Sequence, residues 1–255
     1  INIEQDDKVK AFICTQDLKD EEYINSHYVI MATKNGQVKK TPLEQYSRPR
    51  TNGINAITIK DNDELLEAKL TTGDSQVMLA LASGKAIRFE EGKTRPMGRN
   101  ASGVRGITLA HKDDAVIGMI AVNDKESDIL VVSENGYGKR STLEDYRITN
   151  RGGKGVKTIN VTEKTGNLVS IKVVLDVDDL MIINKSGIAI RMAVADLRVM
   201  GRATQGVRLI KVKEGDSIAA VAKVMHDDDD IEELEGDLES DTPLDNESPQ
   251  TNTEE

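Results

Sequence analysis

The stretch 129–140, Ile-Leu-Val-Val-Ser-Glu-Asn-Gly-Tyr-Gly-Lys-Arg, sets an Asn-Gly pair between a short β-branched run and a basic run. This pattern is a strong signal for a tight β-hairpin. The same order of apolar run, small-residue turn and basic run occurs four times. The apolar runs are Tyr28 to Thr33, Val77 to Ala82, Ile129 to Ser133 and Leu180 to Asn184.

Two series of glycines give this repeat its period. The turn glycines Gly36, Gly84, Gly136 and Gly187 lie 48, 52 and 51 residues apart. A second series, Gly53, Gly103, Gly155 and Gly206, follows the first by 17, 19, 19 and 19 residues. Since two independent anchors share one period, we interpret the chain as an array of four structural repeats.

Two further strands are predicted in each repeat. An earlier strand is expected at Lys8 to Cys14, Leu65 to Thr71, Val116 to Val122 and Leu168 to Val174, and a fourth at Ile54 to Ile59, Val104 to Leu109, Val156 to Val161 and Val207 to Val212. Four short strands per repeat are typical of propeller blades. The predicted fold is all-β, a β-pinwheel or propeller-like array of four-stranded blades at residues 1–224, with repeats at about 8–61, 62–113, 114–165 and 166–224.

A fifth copy of the earlier strand, Ser217 to Val224, is surplus to four blades. It suggests that each blade takes its last strand from the start of the following repeat. Ser217 to Val224 would then complete the fourth blade, and Lys8 to Cys14 would belong to a blade before Ile1. The chain also begins without Met or a signal peptide, as expected of a segment of a longer protein.

The net charge combines two unlike parts. The chain carries 44 acidic and 34 basic residues, a formal charge of −10. Residues 225–255 hold 14 of the acidic residues and no Lys or Arg, which leaves 30 acidic and 34 basic residues, a net charge of +4, in the body. We predict a disordered acidic tail at 225–255.

The basic residues of the body recur at equivalent places in the repeat. Equivalent positions of a repeat array lie on one edge of the assembly, so they predict a curved basic band. Such a band suits the phosphates of duplex DNA, whereas 3% aromatic content weighs against stacking on single strands. The residues predicted to bind DNA are Lys39, Lys40, Arg48, Arg50, Lys85, Arg88, Arg95, Arg99, Arg105, Lys139, Arg140, Arg147, Arg151, Lys154, Lys157, Arg191, Arg198, Arg202 and Arg208.

The segment 150–155, Asn-Arg-Gly-Gly-Lys-Gly, is the densest local signal. Its three glycines let the backbone approach a phosphate closely, while Arg151 and Lys154 supply charge. It lacks the spacing and the strand-to-helix context of a nucleotide-binding loop. A flexible turn is the alternative interpretation.

Several motifs together resemble the C-terminal domain of the A subunit of bacterial DNA gyrase. They are Asn-Gly-Gln-Val-Lys-Lys-Thr from Asn35, Pro-Met-Gly-Arg-Asn-Ala-Ser-Gly-Val-Arg-Gly from Pro96, Asn-Gly-Tyr-Gly-Lys-Arg from Asn135 and Met-Gly-Arg-Ala-Thr-Gln-Gly-Val from Met200. In that family the domain is a six-bladed pinwheel whose basic perimeter wraps duplex DNA. The resemblance implies that the chain holds blades three to six, and that the family's Gln-Arg-Arg-Gly-Gly-Lys-Gly box lies before Ile1.

The resemblance also implies a role in ATP-dependent negative supercoiling by a type II topoisomerase. ATP and Mg²⁺ would act in the holoenzyme, with no cofactor or metal in this segment. The partners would be duplex DNA, the gyrase B subunit and the N-terminal cleavage domain of the gyrase A subunit, in an A2B2 complex located in the cytoplasm on the chromosome. None of the tyrosines Tyr23, Tyr28, Tyr46, Tyr137 and Tyr146 is assigned to DNA cleavage, so the segment is expected to be non-catalytic.

Other functions find little support in the residues. A single Cys14 and the isolated His27, His111 and His226 have no zinc-ligand spacing, and no apolar run approaches the length of a membrane span. The alternatives are the corresponding domain of topoisomerase IV and a propeller that binds protein partners, which would lack a steep salt dependence. The tail either solubilises the chain or competes with DNA for the basic band.

Overall fold

The computed structural model describes residues 8–124 and 126–224, so the tail predicted at 225–255 lies outside them. Within these ranges the chain forms four antiparallel sheets, which confirms the all-β blade array. One short helix, α1 (Glu21–Ser26), precedes the first sheet and was not predicted. The Asp20 carboxylate caps it by accepting hydrogen bonds from the backbone N–H groups of Glu22 and Tyr23.

Each blade is built on a hairpin from one repeat. The hairpins pair β1 (Tyr28–Thr33) with β2 (Gln37–Pro42), β4 (Gln76–Leu81) with β5 (Lys85–Glu90), β8 (Asp128–Ser133) with β9 (Tyr137–Thr142), and β12 (Asp179–Asn184) with β13 (Ala189–Ala193). The turn glycine Gly136 has φ of +78°, and a Cβ there would lie 2.4 Å from the carbonyl oxygen of Ile210. Only glycine fits that turn.

The following repeat supplies the remaining strands of each blade. The inner strands are β3 (Leu65–Thr71), β7 (Val116–Val122), β11 (Leu168–Val174) and β15 (Ile218–Val224), and the outer strands are β6 (Val104–Arg105), β10 (Val156–Lys157) and β14 (Val207–Arg208). The prediction that Ser217 to Val224 completes the fourth blade is confirmed, because β15 pairs with β12. The inner strands pack against one another from blade to blade.

Three strand predictions are wrong. The outer strands have two residues rather than six, because Gly106 and Ile107 both donate to the carbonyl of Gly36 and so leave the ladder. The segments 8–14 and 54–59 form no strand, and among the described residues neither lies in any of the four sheets. The fourth blade has three strands, β13-β12-β15, within the part of the chain described, where no further repeat supplies an outer strand.

The cores lie between neighbouring blades. In β4, Val77 and Leu79 pack toward the first blade, whereas Met78 and Ala80 pack toward the third. Both faces of the central hairpin strands are therefore buried, so their sequences read as continuous apolar runs. A charged residue inside such a strand is therefore buried, as several of the basic residues are.

Candidate nucleic-acid interface

Most of the basic residues predicted to bind DNA lie on the outer strands or on the loops that lead to them. Lys85, Arg99, Arg151 and Arg202 are half-buried. Those that are exposed are Arg48, Arg50, Arg95, Arg105, Arg147, Lys154, Lys157, Arg191, Arg198 and Arg208. Because the inner strands are occupied by contacts between blades, the loops and outer strands place these cations at the outer edge.

The outer strands set one cation at the same place on each of three blades. The pairing brings Arg105 opposite Gln37, Lys157 opposite Lys85, and Arg208 opposite Tyr137. Each of the three follows the second glycine of its repeat by two residues. The repeat therefore delivers a charge at a fixed register on successive blades, which suits a ligand with evenly spaced negative charges.

The loop Asn150–Gly155 lies within the third repeat and leads from its hairpin to β10, the outer strand of the second blade. The backbone N–H of Gly152 donates to the carbonyl of Gly106 at 2.6 Å, and Thr108 bonds the carbonyls of Gly152 and Gly153. The Arg151 guanidinium donates to the carbonyls of Lys93 and Arg105, both at 3.0 Å. Arg151 is thus engaged within the protein, while Lys154 is exposed beside it.

Two cavities at the outer edge have the size and lining to hold phosphate groups. One, of about 410 Å³, is lined by three arginines, Arg48, Arg50 and Arg99, with Glu44 as its acidic member. The other, of about 250 Å³, contains Arg147 and Lys154 and lies under the loop Asn150–Gly155. The first pocket combines cations from two consecutive repeats, whereas Arg147 and Lys154 of the second both come from the third repeat.

Lys39 and Lys139 are corrected by the structure, since neither is on the surface. The Lys39 ammonium donates to the carbonyls of Ala56 and Arg99, both at 2.5 Å. Burial lowers its pKa to about 8, and the charge of Arg99 acts the same way. With two of its three N–H donors engaged and its side chain buried, Lys39 is out of reach of a DNA phosphate.

Lys139 occupies the equivalent interior position of the third blade. Its ammonium donates to the carbonyl of Gly201 at 2.5 Å and to the Thr204 hydroxyl at 3.1 Å. Burial lowers the pKa of Lys139 to about 8, opposed by Asp145 and supported by Arg202. These contacts hold the loop that carries Arg202, so the lysine acts on the outer edge only through that loop.

Lys40, Arg88 and Arg140 are also buried, and each crosses to the following repeat. The Lys40 ammonium lies 2.9 Å from the Glu91 carboxylate, in the short helix Glu91–Lys93. Arg88 donates to the carbonyls of Leu143 and Tyr146 at 2.6 and 2.9 Å, at the corresponding place one repeat later. These three residues, predicted to contact DNA, instead link one blade to the next.

Arg140 repeats this link, and Arg191 takes the same strand position on the fourth blade. Arg140 donates to the carbonyl of Leu197 in the fourth repeat and pairs with Asp176 and Asp128. Arg191, at the same position of the fourth blade, lies 2.5 Å from the Asp179 carboxylate of its own hairpin. Its exposed side chain therefore forms an ion pair at the end of the array.

The sequence interpretation missed a cluster around Tyr137. Lys164 and Arg208 lie near the Tyr137 ring, and Lys211 and Lys213 line the same cavity. Lys211 lies in the strand predicted at Val207 to Val212 and Lys213 follows it directly, and this alternation of lysines was the available signal. Lys164 lies between Gly155 and Gly187, away from the positions where basic residues recur in the repeat, so the sequence contains no signal for it.

The tyrosines have structural contacts. Burial raises the pKa of both Tyr46 and Tyr146, which favours their neutral forms. The Tyr46 hydroxyl donates to the carbonyl of Ala56, and the Tyr146 hydroxyl forms a hydrogen bond with the Thr158 hydroxyl.

Among the described residues no three His, Cys, Asp or Glu side chains are grouped as metal ligands would be. In the same ranges, no helix has the length and apolar character to cross a membrane.

Comparisons with known proteins identify the repeat. The family model for the DNA gyrase C-terminal domain, beta-propeller, matches residues 27–72, 78–123, 127–175 and 178–225. The DNA gyrase A subunit of Staphylococcus epidermidis (strain ATCC 12228 / FDA PCI 1200) is 44% identical over 230 residues, covering 90% of the chain and 25% of the relative. The same subunit of Staphylococcus aureus (strain MRSA252) is 42% identical over 235 residues, covering 92% and 26%.

Solved structures agree on the fold. The C-terminal domain of DNA gyrase A superimposes with a TM-score of 0.77 at 23% identity, covering 88% of this chain and 73% of that one. The C-terminal domain of DNA topoisomerase IV superimposes with a TM-score of 0.75 at 25% identity, covering 84% of this chain and 67% of that one. The chain spans about a quarter of the length of the curated relatives it matches. By its four family-model matches and its identity to these gyrase subunits, the chain belongs to the family of the DNA gyrase C-terminal, beta-propeller domain.

Proposed function

We propose that this chain binds duplex DNA along its outer edge and wraps it, as part of a gyrase A subunit. The observation that carries the proposal is the recurrence of Arg105, Lys157 and Arg208 at one register on three consecutive blades. Binding would release counterions from the DNA, and the curved array would favour a bent duplex over a straight one. Sequence preference would come from the deformability of the DNA.

The chemistry of the whole enzyme would lie elsewhere. The chain would serve ATP-dependent negative supercoiling without itself cleaving DNA, because the family it matches is that of the C-terminal domain and its tyrosines make structural contacts. ATP and Mg²⁺ would act in the other parts of the holoenzyme. The proposed partners are the gyrase B subunit and the N-terminal cleavage domain of the gyrase A subunit in an A2B2 complex, in the cytoplasm on the chromosome.

Gyrase is preferred to topoisomerase IV because the relatives at 42 and 44% identity are gyrase subunits. The test measures affinity for a duplex by mobility shift over a range of salt concentrations, and the linking number of a plasmid ligated in its presence. We expect affinity to fall steeply with salt and the linking number to change. A chain that gives no shift at low salt would refute DNA binding and favour a protein-binding scaffold.

Variants that remove charges from the outer strands or from the inner strands separate binding at the outer edge from general electrostatics. Arg105→Gln, Lys157→Gln and Arg208→Gln together remove three charges of the outer strands. Lys69→Gln with Lys172→Gln removes charges of the inner strands β3 and β11 as a control. Each lost phosphate contact should reduce the salt slope by about 0.9, so the outer variant should lose roughly three units and the control almost none. Equal slopes in both would contradict binding at the outer edge.

A further inference from the structure

The third blade carries a pocket that the repeat does not explain. A cavity of about 370 Å³ lies where β9 meets β14 and the loop that follows it. Its polar lining includes Asn135, Tyr137, Lys164, Arg208, Lys211 and Lys213. We call it the Tyr137 pocket. Four of these six residues are cations.

The Tyr137 hydroxyl is arranged to donate a hydrogen bond into this pocket. Arg208 donates to it from Nε at 3.2 Å and from Nη2 at 2.8 Å. An oxygen that accepts both bonds keeps its own hydrogen for a third partner, and Arg208 keeps three of its five N–H donors. The hydrogen bonds from Arg208 also lower the pKa of Tyr137, which makes its hydroxyl a stronger donor.

Lys164 is held beside the same ring. The Asn135 side-chain amide donates to the carbonyls of Glu163 and Lys164, both at 3.2 Å, and so fixes the turn. The Lys164 ammonium then lies 5.3 Å from the centroid of the Tyr137 ring, and the Arg208 guanidinium lies 5.4 Å from it. The protein thus places two cations at one aromatic ring before any ligand arrives.

The pocket keeps a net positive charge, because only two carboxylates, Glu214 and Asp216, face its four cations. The Asp216 carboxylate accepts from the Ser186 hydroxyl at 2.8 Å and from the backbone N–H of Ser217 at 2.8 Å. These bonds direct it to the fourth blade and lower its pKa. Glu214 remains as the other acidic residue against four cations.

The equivalent places on the first two blades are built differently. Arg105 stands opposite Gln37, and Lys157 stands opposite Lys85. Neither pair includes an aromatic hydroxyl that orients the cation. In the described part of the chain, this combination of Tyr, Arg and Lys therefore belongs to the third blade alone.

We propose that the Tyr137 pocket binds a phosphate group, through the Tyr137 hydroxyl, the free N–H donors of Arg208 and the ammonium groups of Lys164 and Lys211. In the DNA complex the ligand is one backbone phosphate, and the pocket fixes the duplex on the third blade. This second statement rests on the proposed function. A neutral hydroxyl among the cations gives the pocket a geometric preference that scattered charges lack.

The direct test follows Tyr137 by NMR in the full chain labelled with 13Cζ-tyrosine, which contains five tyrosines. Tyr137→Phe identifies its signal by removing it. Inorganic phosphate and a short duplex are titrated separately. We expect the Tyr137 signal to shift with the duplex, and to shift with phosphate in the wild type but not in Arg208→Gln. A shift with the duplex alone also supports the pocket, with the backbone as its sole source of phosphate.

Two results overturn the proposal, and both differ from failure of DNA binding. The first is a Tyr137 signal that neither titration moves, although the duplex gives a mobility shift. The second is a signal that moves with phosphate only, while bound duplex leaves it unchanged. If the wild type gives no mobility shift at all, the proposed function fails and the phosphate titration decides the pocket by itself.

Affinity measurements supply a second readout. Arg208→Gln should lower the salt slope by about 0.9. Tyr137→Phe keeps every charge, so it should weaken duplex binding about 2- to 10-fold with the slope unchanged. Lys157→Gln is the matched comparison for Arg208→Gln, since it removes the charge at the same register of the second blade; it should lower the slope equally but leave the phosphate-induced shift of the Tyr137 signal intact. Tyr137→Phe with wild-type affinity, in a protein with wild-type circular dichroism, would contradict the proposal.

Discussion

Gly155 offers a direct test of how the loop Asn150–Gly155 meets the second blade. Its φ is +70°, and a Cβ there would lie 2.6 Å from the carbonyl oxygen of Ala86 and 2.8 Å from its carbon. A left-handed backbone costs a residue other than glycine about 1–2 kcal/mol. The contact is with backbone and cannot be relieved by a side-chain rotation. Since Val156 pairs with Ala86, relief would disturb the outer strand β10.

We therefore expect Gly155→Ala to lower the free energy of unfolding by about 2–4 kcal/mol. Gly153→Ala is the control in the same loop. Its Cβ would make ordinary contacts with the flexible end of Ile87 at 3.4 Å and the carbonyl oxygen of Asn150 at 3.8 Å, without a positive φ, so the change should stay within about 0.5 kcal/mol. The assay is urea denaturation followed by circular dichroism at constant m value. Equal midpoints for the two variants would refute this account of the loop.

Three further predictions concern buried charge and the tail. The pKa of Lys139 falls from 10.5 to about 8 on folding, so the folded state binds fewer protons between these values and stability rises with pH across the window, by up to about 3 kcal/mol. Lys139→Met should lose this contribution but keep the similar one from Lys39, so its stability should rise less steeply with pH, and parallel stability curves for the two proteins would contradict this. Arg88→Met leaves two carbonyls of the next repeat without their hydrogen-bond donor and should lower the free energy of unfolding by about 2–4 kcal/mol in urea denaturation. Arg105→Met, the exposed control, should lower it by less than about 0.5 kcal/mol, and similar losses in both variants would refute the link between blades. Deleting residues 227–255 should raise duplex affinity at fixed salt, whereas an unchanged Kd assigns the tail to solubilisation.

The hairpins could be predicted because their signals are local. An Asn-Gly or Ser-Gly pair with flanking β-branched residues fixes a turn within a few positions, and all four predicted hairpins are present. The pairing of β15 with the fourth blade could be predicted because the sequence contains five copies of the early strand for four blades. The length of the outer strands could not, because Gly106 leaves the ladder for the carbonyl of Gly36, far away in the preceding repeat.

The burial of basic residues was the main error, although the repeat contained a signal for it. Lys39 and Lys139 align with Ile87 and Ile190, each three residues after its turn glycine. An apolar residue in two of four copies marks an interior position. Strand alternation could not reveal this, because both faces of the central strands are buried and inside and outside do not alternate.

The strand exchange orders the assembly of the array during synthesis. The first hairpin ends at Pro42, yet its blade is complete only when Arg105 has been made; the second waits for Lys157 and the third for Arg208. At about 5–20 residues per second, each hairpin would remain partly uncovered for several seconds after it leaves the ribosome. Each repeat thus serves as the folding partner of the one made before it, and a ribosome that stalls inside one repeat leaves the previous blade unfinished.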